Sequence, residues 1–179
     1  MNTAIKIAVA YFLLSGVAAQ AFQLGSPFDN PLGQAYRKEL EQLVVPADHL
    51  PPSCRLVTEI KTAPIFPATT NPFVTDNAQL IDFVSLIGFG KKQLQDVSVA
   101  MSALYVEREP QHEVGIWGLR FRSPKAATAG YERLKQREVL RKGALLIALW
   151  RDNEIGKTCQ QAIKAHLVKN GFEILAAKP

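Results

Sequence analysis

Two apolar runs, Val97 to Val106 and Glu113 to Phe121, are separated only by a short polar stretch, Glu107 to Gln111, that contains Pro110. No other feature of the chain limits its fold as much. The first run is apolar on both faces apart from Ser98 and Ser102, the pattern of a strand covered on both sides. The second places Trp117, Leu119 and Phe121 on one face and Val114 and Ile116 on the other. Two strands joined by so brief a link pair as an antiparallel hairpin.

The segments after the hairpin set the fold class. Ser123-Pro124 opens a helix in which Ala127, Tyr131 and Leu134 share a side. Ala144 to Trp150 is wholly apolar and reads as a central strand. A helix joining Phe121 to Ala144 makes a right-handed crossover, which predicts that these two strands lie parallel. Asp152 or Asn153 caps a last helix whose inward face is Ile155, Cys159, Ala162, Ile163 and Leu167. Asn170-Gly171-Phe172 ends that helix, and Phe172 to Ala176 can add an edge strand. The expectation is a single α+β domain over residues 22–179. Its mixed, mainly antiparallel sheet is packed by helices, in the order β-β-α-β-α from residue 97. That order resembles the layout of ferredoxin-like folds, a likeness of architecture that carries no function.

Residues 22–96 read as a helical, loop-rich part that precedes this sheet-forming core. Asp29-Asn30-Pro31 starts a helix running to about Val44, with Leu32, Ala35, Tyr36, Leu40 and Leu43 on one stripe. Pro46 and Pro51-Pro52 stop it, and Cys54 to Ile60 favours extended structure. Lys61 to Asp76 holds Pro64, Pro67 and Pro72 and has no period; loops of this length are often binding loops or lids. Ile65, Phe66 and Phe73 can also simply pin it to the body. Asp76 or Asn77 caps a helix carrying Leu80, Ile81, Val84 and Ile87, which Gly88 or Gly90 ends. Gly88-Phe89-Gly90-Lys91-Lys92 is no phosphate loop, because Ser85 stands at the first glycine position and Gln93 supplies no hydroxyl.

Met1 to Ala21 has the three-part layout of a secretory signal peptide. Lys6 is followed by an apolar run from Ile7 to Val17 and small residues up to Ala21, with cleavage expected after Ala19 or Ala21. The run is shorter than the ~20 residues that span a bilayer, and no later stretch is long enough either. The reading is an exported chain, periplasmic in a Gram-negative bacterium and secreted otherwise, with no transmembrane segment in its mature form. A hydrophobic fraction of 47% against 21% charged excludes a disordered, collagenous or coiled-coil chain. An exported chain with two cysteines most often pairs them, so Cys54 and Cys159 are expected to form a disulfide.

Charge is distributed unevenly. Phe22 to Leu119 carries seven basic and eleven acidic residues, a net −4, whereas Arg120 to Pro179 carries thirteen and five, a net +8. Lys125, Arg133, Arg137 and Arg141 are spaced by multiples of four, with Lys135 and Lys142 nearby, so they would line one side of a helix. Such a stripe is a candidate anion-binding face for a protein or an anionic envelope component. Aromatic residues do not alternate with these bases, which argues against single-stranded nucleic acid.

Catalytic signatures are absent from the sequence. His49, His112 and His166 show none of the spacings that hold zinc, and no serine lies in a nucleophile elbow. The pairs Glu39/Glu41 and Glu107/Glu109 fall on an amphipathic helix and in a turn, where solvated charges belong. No metal or cofactor is implied. These observations favour a non-enzymatic binding or structural module of the cell envelope or secreted space. The alternative is a small secreted hydrolase with a site assembled from distant residues, His49, Asp48 and His112 being its candidates.

Overall fold

The long hairpin is present, with Val97–Glu107 and His112–Phe121 paired antiparallel along their length and one irregularity between Val97 and Val99. The computed structural model describes residues 22–60, 70–91, 94–108, 112–134 and 138–176. Residues 1–21, expected to be a signal segment, residues 61–69 of the Pro-rich loop, Lys135 and Arg137 lie outside the described residues. The first half contains β1 (Phe22–Gln23), α1 (Pro31–Ala35), α2 (Arg37–Leu43), β2 (Cys54–Leu56), β3 (Glu59–Ile60), β4 (Phe73–Thr75) and α3 (Ala78–Phe89). The second contains β5 (Val97–Glu107), β6 (His112–Phe121), α4 (Pro124–Glu132), β7 (Val139–Lys142), β8 (Leu145–Arg151), α5 (Lys157–Lys169) and β9 (Glu173–Leu175).

Seven strands form one sheet in the order β2-β5-β6-β8-β7-β9, and β4 joins the outer edge of β5 beside β2. β1 and β3 make a separate two-stranded ribbon. Strands alternate between two faces, and each face has its own core. Val99, Met101, Ala103, Tyr105, Val114, Ile116, Leu145 and Ile147 face Leu40, Leu43, Cys159, Ile163 and Leu167 of α2 and α5. Ala100, Leu119, Phe121, Leu146 and Ala148 face Val84, Phe89, Ala127 and Tyr131 of α3 and α4. The molecule is thus an α+β domain of three layers, with helices on both sides of an antiparallel sheet.

The sheet corrects two expectations. It is antiparallel at every strand pairing rather than mixed, because the segment after α4 holds an unanticipated strand, β7. The helix ends at Glu132, and Val139 and Leu140 bury on opposite faces of the sheet, a period of two. Lys142 and Leu145 then pair across a two-residue turn in which Gly143 takes a φ of 57°, a conformation glycine adopts without a steric cost. This extra hairpin reverses the chain, so β8 returns antiparallel to β6 and the expected crossover does not exist. The order from residue 97 is β-β-α-β-β-α-β, not β-β-α-β-α.

Local signals fare better. Asn30 caps α1 through Gly33 N, Asn77 caps α3, and Ser123 caps α4 through Ala126 N. The first helix breaks at Tyr36 into two short ones, yet Leu40 and Leu43 keep their predicted inward face. Ile155, expected inside, is 46% exposed because Glu154–Gly156 forms a 3-10 turn before α5 begins. Cys54 and Cys159 form the disulfide, with 5.5 Å between their Cα atoms and a sequence separation of 105. It ties the edge strand β2 to α5. Replacing both cysteines with serine should lower the unfolding free energy by about 4–5 kcal/mol, the chain-entropy value for a loop of roughly 100 residues. Urea titration of the oxidised protein and the double variant measures the difference.

Candidate functional site at the end of the central strands

Strand β5 ends on Glu107, which the sequence pattern assigns to solvent and the fold buries to 2% exposure. The correction has a specific cause. One carboxylate oxygen accepts from the backbone N–H of Cys159 at 3.1 Å, and the other accepts from the Ser53 hydroxyl at 3.2 Å. The carboxylate therefore caps the first turn of α5, where orphan N–H groups and the helix dipole favour negative charge. Register places Glu107 directly opposite Cys54, so this cap and the disulfide occupy one junction. Glu107→Ala, which leaves the Cys159 N–H without its acceptor, should destabilise the fold by about 2–3 kcal/mol, and Glu107→Gln by less. Chemical denaturation of the two variants tests this ordering.

At the same end of the sheet, successive residues of β8 point to opposite sides. Leu149 and Arg151 line a notch of about 550 Å³, together with Glu138, Leu140, Ala148, Gly88 of α3 and Lys157, Gln160, Gln161 and Lys164 of α5. It opens where β7 pairs only with Leu145, Leu146 and Ile147 of β8, so the described partner strand stops short of Leu149. Arg151 donates to Gln160 Oε1 at 2.6 Å and pairs with Glu154 at 2.5 Å. That hydrogen bond and charge hold the Glu154 carboxyl below its ordinary range, with a smaller pull from the charge of Lys157. Lys164 pairs with Glu138 at 2.6 Å. Lys157, by contrast, makes no ion pair or hydrogen bond with a described residue, so the notch keeps one unpaired cation beside two glutamine amides.

The other side of β8 carries Trp150 and Asp152. Trp150 lies across Gly115 of β6, where a Cβ would stand 2.1 Å from its Nε1 and 2.4 Å from its Cε2. Only glycine leaves room for the ring to lie on the sheet in this way. Its plane is within 13° of that of Trp117, with centroids 6.0 Å apart. Asp152 N donates to Glu113 O, so these two residues form the next row beyond Gly115 and Trp150. The Glu113 side chain reaches solvent, yet its partial burial first, and the Asp152 charge second, push its carboxyl above the ordinary range. His112 stands 3.9 Å from Asp152, and its Nδ1 is 2.6 Å from Asn153 Nδ2.

Among the described residues, the basic ones singled out in the sequence, Lys125, Arg133, Arg141 and Lys142, do not share a helix side. Lys125 starts α4 and Arg133 caps its end, where it contacts Gln95 at 3.4 Å. Arg141 and Lys142 belong to β7. Arg141 pairs with Glu173 and donates to Thr128, while Lys142 donates to Gln42 and to the carbonyl of Asn170. Their spacing is that of a helix, but the chain turns into a strand between them. His49 is exposed and faces His166 of α5 with ring centroids 5.9 Å apart, not its neighbour Asp48. Among the described residues no group of three or more His, Cys, Asp or Glu could hold a metal ion, and no helix is long and apolar enough to cross a membrane.

His166 also responds to pH. Its Nδ1 is buried without a hydrogen bond to a described residue, and burial first, then the charges of His49 and Lys169, hold its pKa below the ordinary 6.5. The unfolded chain takes up the proton at the ordinary value while the folded chain resists it. The stability this group contributes is therefore fully present above about pH 6.5 and declines as pH falls through that value. The urea midpoint should drop between pH 7 and pH 5.5, with a shallower drop in His166→Gln. An unchanged slope in the variant would assign the loss to other groups.

Comparison with known proteins finds no match among family models, curated proteins or solved structures.

Proposed function

We propose that this chain is an exported, non-enzymatic binding module of the cell envelope or secreted space, and that its ligand occupies the notch beside β8. The observation that carries the reading is Lys157. It is a cation with no ion pair to a described residue, at the first turn of α5, in a cavity that also offers the amides of Gln160 and Gln161. Arg151 and Lys164 each have a carboxylate already, so their charges orient the wall more than they attract. A ligand with a carboxylate or phosphate head suits this set, since both accept charge-assisted hydrogen bonds from ammonium and amide donors. The Cys54–Cys159 bond supports the exported reading, because such bonds persist in oxidising compartments.

A single exposed cation contributes at most about 1 kcal/mol. The expected affinity is therefore modest and salt-sensitive. Calorimetric titration with inorganic phosphate, citrate and vesicles containing an anionic lipid should find binding that weakens about fivefold in Lys157→Gln. Binding indifferent to Lys157 would remove the notch as the site. The second reading, a small secreted hydrolase, is favoured by one observation, His112 standing 3.9 Å from Asp152 beside Glu113. Turnover of a generic ester, glycoside or peptide that is lost in His112→Ala would select it.

A further inference from the structure

On the face of the sheet that carries Trp150, the two indoles and the two carboxylates beyond them make a second surface that the notch does not use. Trp117 and Trp150 are the two tryptophans of the chain, and their rings run almost parallel, at 13°. Gly115 lets Trp150 lie across the sheet, and Gly88 lets α3 close on Trp117, where a Cβ would stand 2.6 Å from the Trp117 Cβ. Both rings are half-buried, and Glu113 and Asp152 in the adjoining row are exposed. Rows on one face of a strand are spaced by roughly 7 Å, twice the rise per residue, which is within reach of one planar cationic side chain.

We propose that this platform binds the guanidinium group of an arginine side chain presented by a partner protein, the plane of the group stacking on Trp150 while Glu113 and Asp152 accept its N–H donors. Three features of the surface select that chemistry. An indole face attracts cations through its ring quadrupole, and tryptophan does so best. Two carboxylates side by side repel anions and repel each other, a repulsion that a bound cation relieves. Trp150, lying over Gly115 and nearly parallel to Trp117, offers one ring face as a shelf rather than a cage. A shelf suits a planar guanidinium, which stacks on aromatic faces and meets carboxylates with a fork of donors. A tetrahedral ammonium or quaternary nitrogen gains less from one flat face. None of Trp117, Trp150, Glu113 and Asp152 lines the notch, so the proposal does not depend on what the notch binds.

Because no other tryptophan is present, intrinsic fluorescence of the full oxidised protein reads this surface directly. Argininamide should change the emission saturably with a Kd of roughly 1 mM, and lysinamide should bind about fivefold more weakly. An arginine-bearing octapeptide should bind more tightly than argininamide. Glu113→Gln and Asp152→Asn should each weaken argininamide about fivefold, with circular dichroism and the melting temperature confirming that each variant is folded. Gly115→Ala, which drives the ring off the sheet, should abolish the response while leaving both carboxylates in place. Lysinamide as effective as argininamide, a response to uncharged methyl glucoside of equal size, or carboxylate variants that bind normally would each overturn the proposal. A peptide no better than argininamide would assign the platform to a free small molecule and overturn the partner-protein source. Absence of any saturable response overturns it outright, and none of these outcomes bears on Lys157 and the notch.

Discussion

Glu107 is the interaction on which the two halves of this molecule meet. Its carboxylate is almost completely buried, and it lies at the end of the longest strand, opposite Cys54 and under the first turn of α5. A buried carboxylate without donors would be strongly unfavourable, so the Cys159 N–H and the Ser53 hydroxyl have to be delivered to it together. That requirement positions α5 over the sheet, and the disulfide from Cys54, the residue paired with Glu107, holds the same junction covalently. Tyr105, two residues back on the same strand, performs the matching task for α2. Its buried hydroxyl donates to Leu43 O and accepts from Val45 N, satisfying the backbone where that helix ends.

The short strand β7 has consequences well beyond its four residues. By turning the chain back at Gly143 it makes β8 antiparallel to β6 and leaves the last residues of β8 beyond its reach. Helices cover both faces of the sheet, so this lateral edge is where the three layers leave a space, and the notch forms there between α3 and α5. Had the crossover expected from the apolar runs existed, the same residues would have belonged to a parallel pair and this edge would have been arranged differently.

Alternation along Leu149, Trp150, Arg151 and Asp152 separates two chemistries that are adjacent in sequence. One side presents cations and amides to a polar notch, and the other presents flat aromatic surface next to carboxylates. The basic excess of the second half of the chain is used differently from what its sum suggests. Arg141, Lys142, Arg151 and Lys164 are each engaged by groups of the protein itself, and they brace strand ends and helix faces. Net charge describes the half of the chain; individual pairings decide which cation is available.

Features that depend on neighbours close along the chain were legible before any fold was known. The hairpin of β5 and β6, the faces assigned to Trp117, Leu119, Phe121, Val114 and Ile116, and the caps at Asn30, Asn77 and Ser123 all come from local periodicity and side-chain chemistry. The inward face of α5 was legible for the same reason, and the pairing of its cysteine followed from the presence of two cysteines in a chain expected to be exported. Gly115 before Trp117, and Gly143 after Val139-Leu140, were visible signals of a ring lying on the sheet and of a second hairpin, but neither is decisive without knowing what lies across from it. The folded arrangement had to settle that Glu107 is buried, that the bases of α4 and β7 do not form a stripe, and that β8 ends in a notch. These depend on which strand lies beside which, and that is set by contacts between residues far apart in the chain. No local period encodes them.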